Sequence, residues 1–206
     1  LPAAVVFGEG IFIRFAEYPL REWEERVEES GYLSELRTRA LESFASSNRD
    51  PVEVSPRLVM LHTLSHLLIR RLSFECGYSS SSLKERLYVN FNQADPSENM
   101  AGILIYTASG DCEGSLGGLV RLGEPQELEK LLRDSVKDAS WCSSDPVCTE
   151  IGTNGGQGTD GLNVAACHCC ALLPETSCEQ FNRFLDRSLV AGRPDNRKIG
   201  FFSDIL

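Results

Sequence analysis

The sequence predicts an α/β or α+β domain: a small central sheet, packed helices and a Cys-ligated structural zinc site. Three observations lead there. Residues 101–107, "AGILIYT", form a continuous apolar run of strand length. Residues 55–77, "SPRLVMLHTLSHLLIRRLSFECG", repeat leucine at helical spacing. Six of the eight cysteines fall between positions 142 and 178.

The elements follow in order. Residues 4–15, "AVVFGEGIFIRF", are rich in β-branched and aromatic side chains and predict one or two strands. Residues 19–30, "PLREWEERVEES", begin with Pro and are heavily charged, so a surface helix is expected, stopped at Gly31. Residues 33–47 read as a second helix. The leucine-rich helix has Ser55 as its N-cap, Pro56 in its first turn and Gly77 at its C-terminal end. Leu58, Leu61, Leu64, Leu68 and Leu72 make one apolar row, and Val59, Met60, Leu67 and Ile69 add apolar surface on other faces. Such a helix is buried on most sides.

"SSSSLKERLYVNF" predicts a short capped helix leading into a strand. The 101–107 run suits a sheet covered on both faces. It is followed by the Gly-rich loop "ASGDCEGSLGG" and by a helix over 124–140 with Pro125 in its first turn. That strand–loop–helix order favours α/β organisation. Residues 149–163 hold five glycines and read as a flexible loop. Residues 178–190, "CEQFNRFLDRSLV", place Phe181, Phe184, Leu185 and Leu189 at helical spacing.

With 206 residues, 42% hydrophobic and 24% charged, the chain suits one soluble domain that needs no staples to bury a core. Its net charge of −10 opposes nonspecific binding to nucleic acid, which needs many Lys and Arg at the phosphates. No export signal is legible in "LPAAVVFGEGIFIRF", and the apolar stretch "LVMLHTLSHLLI" is too short to span a bilayer. A cytoplasmic chain with reduced thiols and no membrane association is expected.

Reduced thiols at this density point to metal. Cys142 and Cys148 form a C-x5-C pair, Cys167 and Cys170 a C-x2-C pair, and Cys178 follows. Zinc takes four ligands at tetrahedral corners, and two pairs from separate segments complete such a set. The glycines between the pairs give the chain slack, and closing a loop costs entropy only slowly with length. Cys142, Cys148, Cys167 and Cys170 are the expected ligands of one structural zinc, with Cys178 a fifth candidate. Cys169 is disfavoured because its neighbour Cys170 has the better spacing, and His168 because ligation beside Cys167 strains the turn. Disulfides would need an oxidising compartment. Cys76 and Cys112 stand alone and read as inert thiols. A closed four-sulfur site has no position for water and organises structure without hydrolysing anything.

Other features compete for attention. His62 and His66 sit one turn apart on one helix face but lack the Glu of the H-E-x-x-H pattern, so two buried histidines hydrogen-bonded to neighbouring loops are expected. A hydrolase using His62, His66 or a free Cys is the least favoured reading. "SGDCEGSLGGL" lacks the Lys and Ser/Thr of a P-loop and carries Asp111 and Glu113, so a tight turn is favoured over a phosphate cradle. Arg183, Arg187, Arg193, Arg197 and Lys198 form the best basic stretch, which a solvated helix face also explains. No catalytic residue is expected.

Taken with "GEGIFI", the stretches "LHTLSHLLIRRLSFECGYSSSSLKERLY", "AGILIYTASGDCEGSLGGL", "WCSSDPVC" and "AACHCCALLPETSCEQFNRFLDR" resemble a known family. They are similar to the C-terminal region of the DrmB proteins of the bacterial DISARM anti-phage system. That region is similar in turn to the MrfA zinc-binding domain at the end of a family of DNA-repair helicases. The resemblance runs from about residue 6 to residue 190. It implies a single MrfA-type zinc-binding domain over 1–206, with a strand and helices in 1–50, the core in 51–140, and the zinc segment and a C-terminal helix in 141–206. It also implies a partner role: a non-catalytic zinc-binding subunit beside a DrmA-like superfamily 2 helicase, reaching DNA through the complex. The alternative it leaves open is the C-terminal zinc-binding domain of a DNA-repair helicase. Carried over by motif, "WCSSDPVC" gives Cys142 and Cys148, and the C-x2-C pair gives Cys167 and Cys170. At position 169 the resemblance implies a small residue such as Ala, and this chain has Cys169.

Overall fold

The computed structural model describes residues 8–47, 51–92, 94–107 and 117–205. Its sheet has three strands: β1 (Gly10–Arg14), β2 (Leu83–Asn90) and β3 (Met100–Thr107). β3 lies in the centre and pairs antiparallel with both neighbours. In register, Ile105 faces Ile11 on one side and Glu85 on the other. Two-residue alternation turns Ala101, Ile103 and Ile105 inward with Ile11 and Leu83. It also turns Glu85 into that apolar row, where it is buried.

The helix α3 (Pro56–Cys76) packs on the inner face of β2 and β3. Its ends match the sequence expectation. The Ser55 hydroxyl accepts the Leu58 amide at 3.1 Å, Pro56 occupies the first turn, and Gly77 takes a left-handed φ of 71° after the last turn. α1 (Glu17–Glu29) buries Leu20, Trp23 and Val27, and α2 (Ser34–Ser46) buries Leu36, Ala40 and Ser43. α4 (Gly118–Leu122) leads into α5 (Pro125–Ala139), which lies against α3. One buried apolar cluster runs from Ile11 to Ile199. Each of its fully buried Leu and Ile side chains contributes roughly 1.5–3 kcal/mol relative to exposure. The Trp23 indole N–H donates to the Ile199 carbonyl at 2.9 Å and holds the tail on α1.

Four expectations need correction. The sheet is not covered on both faces: Leu104 and Tyr106 are half-buried, and Phe12 is 55% exposed, because every second side chain points away from α3. The segment 149–163 is not loop throughout, since α6 (Val147–Thr153) occupies its start. Gly152 is needed there because a Cβ would sit 2.1 Å from the Val164 carbonyl oxygen. Residues 178–190 are not one helix. Phe181, Asn182 and Phe184 have positive φ, and only α7 (Ser188–Ala191) is helical. The amides of Phe184, Leu185 and Asp186 donate instead to the Leu162 carbonyl, the Asn163 side chain and the Thr63 hydroxyl, at 2.7, 3.0 and 2.9 Å. Tertiary partners thus displace the helical ladder, while Phe184, Leu185 and Leu189 still reach the core. The last correction concerns the basic stretch: it is no solvated helix face, because Arg183 and Arg187 are buried. Residues 108–116, with Cys112 and most of the Gly-rich loop, lie outside the described residues.

Arg57 is 1% exposed at the start of α3. Its guanidinium donates to both oxygens of Glu24 at 2.8 Å and to Glu17 at 2.6 and 3.2 Å. It also donates to the carbonyls of Asn90 and Met100, at the ends of β2 and β3. One cation therefore joins α1, α3 and the sheet. Arg57→Ala strands carboxylates and carbonyls around an empty site and is expected to cost about 3–5 kcal/mol. Urea denaturation of the purified chain measures this; a loss under about 1 kcal/mol would mean that the network contributes only as a surface pair does.

Candidate metal centre

α5 ends at Ala139, and the chain turns so that Cys142 and Cys148, the latter on α6, face one point. A second turn supplies the other pair, with the Cys170 and Ala171 amides donating to the Cys167 carbonyl at 3.2 and 2.9 Å. The sulfurs of Cys142, Cys148, Cys167 and Cys170 all lie within 4.8 Å of one another. Cys142–Cys167, Cys167–Cys170 and Cys148–Cys170 are separated by 3.6, 3.7 and 3.8 Å. A tetrahedron with Zn–S bonds near 2.3 Å has edges of about 3.8 Å. The four thiols are therefore spaced as a tetrathiolate zinc site requires, and three of them are buried. The set is soft, tetrahedral and all-sulfur, which suits one structural zinc.

The thiols perturb one another through their hydrogen bonds. Cys148 is pulled down to about 5, chiefly by the bond from Cys170, while Cys170 is pushed up by the same bond and by burial. Thiols bind zinc as thiolates, so loading such a site releases protons.

Outer groups fix this geometry. The Asp145 carboxylate accepts the Cys142 amide at 2.8 Å and the Thr149 hydroxyl at 2.9 Å, and it pairs with the buried Arg187 guanidinium. Arg187 also donates to the Ala139 carbonyl at 3.0 Å, tying the site to the end of α5. The Gln157 amide nitrogen donates to the Cys148 carbonyl at 2.8 Å. Sequence reasoning missed Asp145, Arg187 and Gln157, although Asp145 stands inside the C-x5-C motif. Arg70 donates to the carbonyls of His168, Cys169 and Leu172 and so holds the C-x2-C turn against α3.

The remaining candidates fall elsewhere. Cys169 and His168 are exposed, and the Ser144 hydroxyl donates to the Cys169 sulfur at 3.4 Å. Cys76 is half-buried and outside both metal-capable clusters of the described residues. Cys178 is not a fifth member of the tetrathiolate. It lies with His62, His66 and Glu85 in a second, wholly buried group. The expectation for the histidines holds for His66, whose Nδ1 donates to the Ala171 carbonyl at 2.8 Å. Glu85 was missed, yet the alternation of "LKERLYV" places it in the same row as Leu83, Leu87 and Val89.

Asp145→Asn keeps all four sulfurs and removes the charge that orients the first of them. It is expected to weaken zinc retention about 10–100-fold in a chelator competition, as loss of an outer-shell partner does. Unchanged retention would show that the cysteines alone set the geometry.

Residues 64–171 match the family described as MrfA Zn-binding domain. Over its whole length the chain is 42% identical, across 210 residues, to the DISARM protein DrmB of Bacillus paralicheniformis (strain ATCC 9945a / NCIMB 11709 / CD-2). It spans 35% of that curated relative's length. The family match covers more than half of the 206 residues and includes all four clustered cysteines, and the chain belongs to the MrfA Zn-binding domain family.

Proposed function

We propose that Cys142, Cys148, Cys167 and Cys170 ligate the structural zinc, and that the chain serves as a non-catalytic zinc-binding module of a bacterial anti-phage defence complex. Its partner in this reading is a superfamily 2 helicase of the DrmA type, and its contribution to DNA engagement runs through that complex. The observation that carries the reading is similarity, along this whole chain, to a third of a DISARM protein, joined to a closed four-sulfur site. Four sulfurs fill a tetrahedron, so the ion has no position for an activated water. The net charge of −10 argues for DNA contact made mainly by a partner. A hydrolase built on His62 and His66 has no support from the geometry, because both imidazoles are fully buried. Among the described residues no helix is long and apolar enough to cross a membrane.

Two measurements test this. Cys148→Ser and Cys170→Ser are each expected to lose the tetrathiolate zinc and to lower the melting temperature, because metal binding is coupled to folding. Cys169→Ser is expected to change neither; if it removes zinc as Cys170→Ser does, the ligand assignment is wrong. Co-expression with a DrmA-type superfamily 2 helicase is expected to give a complex that survives size exclusion in moderate salt, with no ATPase activity from this chain alone. Separate elution of the two proteins would overturn the partner reading.

A further inference from the structure

His62 and His66 on α3, Glu85 on β2 and Cys178 after the C-x2-C turn converge at one fully enclosed point. One ligand-capable atom of each lies within 4.8 Å of the other three. We propose that these four residues are a second metal site, in which two imidazoles, one carboxylate and one thiolate hold a divalent transition-metal ion such as zinc and clamp residues 171–182 onto α3 and β2. The proposal goes beyond the function proposed above and does not depend on a helicase partner. Two of the four residues, His62 and Cys178, lie outside the span matched by the family.

The distances are those of a coordination shell. His62 Nε2 is 3.2 Å from both Glu85 Oε1 and Cys178 Sγ, and His66 Nε2 is 3.6 Å from Glu85 Oε1. Tetrahedral zinc with N and O ligands near 2.0–2.2 Å and S near 2.3 Å has edges of about 3.3–3.6 Å. The imidazoles stand perpendicular, with centroids 4.5 Å apart, so both Nε2 atoms reach one point without the rings stacking.

Hydrogen bonds set the ligand atoms of His66, Glu85 and Cys178 as a metal would need them, while His62 Nδ1 has no partner among the described residues. Because the Ala171 carbonyl can only accept, His66 Nδ1 carries its proton there, and in a neutral ring Nε2 presents a lone pair to the cluster. That nitrogen has no hydrogen-bond partner among the described residues, and neither does Glu85 Oε2. A ligating histidine whose other nitrogen is held by a carbonyl is the usual outer-shell arrangement of metal sites. Glu85 Oε1 accepts the Glu179 amide at 2.9 Å, and Cys178 Sγ accepts the Asn182 amide at 3.1 Å. Both bonds favour the anionic forms that a cation requires. One carboxylate and one thiolate balance a divalent ion, and binding sends the thiol proton to solvent.

The site is closed, so its role is structural. It shares chain with the tetrathiolate centre: Ala171, which positions His66, follows Cys170 directly. The two centres would hold opposite ends of the stretch 170–178, just before the positive-φ residues Phe181 and Asn182.

The test is metal stoichiometry on the full wild-type chain, loaded with excess zinc, freed of unbound ion and measured by mass spectrometry, with X-ray absorption at the zinc edge. Two zinc ions per chain are expected, with a shell containing sulfur, imidazole and carboxylate oxygen. One zinc in an all-sulfur shell, or no zinc, overturns the proposal. A single zinc in a mixed nitrogen, oxygen and sulfur shell supports it. The double variant Glu85→Gln, Cys178→Ser is expected to drop to one zinc in an all-sulfur shell. If that variant folds and keeps two ions, the second ion sits elsewhere and the assignment fails. If it does not fold, the wild-type stoichiometry and shell decide.

Discussion

Helix α3 is buried along nearly its whole length, yet it carries Arg57, His62, Thr63 and His66 among its leucines. Burying such groups without partners would cost more than the leucines around them return. The rest of the molecule is arranged to supply those partners. Glu17 and Glu24 of α1 answer Arg57, and so do two carbonyls at the ends of β2 and β3. The Asp186 amide answers Thr63. Ala171, Glu85 and Cys178 answer the histidines. A helix of leucine alone would have been easier to bury but would not have fixed where the irregular C-terminal third must lie. The partners come from α1, both longer strands and the segment 171–186, so the buried polar groups tie those elements to α3.

Asp186 shows the same logic one layer out. It is fully buried, accepts the Tyr32 hydroxyl at 2.8 Å and the Ser188 amide at 2.9 Å, and is pushed upward by burial. Its own amide is held by Thr63, and the Ala165 amide reaches its carboxylate at 3.3 Å. The segment that delivers Cys167 is thus anchored to α3 two residues before the first sulfur of that pair. The adjacent Arg187 closes on Asp145, which holds Cys142. Neighbouring residues on one short stretch therefore position both halves of the tetrathiolate, and the metal completes an arrangement whose backbone is already specified.

That division of labour bears on function. The four sulfurs fill a closed tetrahedral set, and the groups around them, Asp145, Arg187 and Gln157, hold the backbone of the site. The chain covers about a third of a DISARM relative. Its net charge of −10 opposes nonspecific contact with phosphates.

The sequence by itself determined most local elements and which four cysteines come together. Ser55, Pro56 and Gly77 bound α3 because capping is chemistry between near neighbours. The C-x5-C and C-x2-C pairs were legible because each lies within one turn of chain. Only the tertiary structure decided where Cys178 belongs, since its companions His62 and Glu85 are 116 and 93 positions away and no spacing rule links them. It also decided the fate of residues 178–190, where helical periodicity was real but the amides found partners at Leu162, Asn163 and Thr63. Periodicity reports which side chains seek the core. It does not report which backbone groups will be claimed on arrival, because that depends on segments far apart in sequence being brought together by burial and by metal.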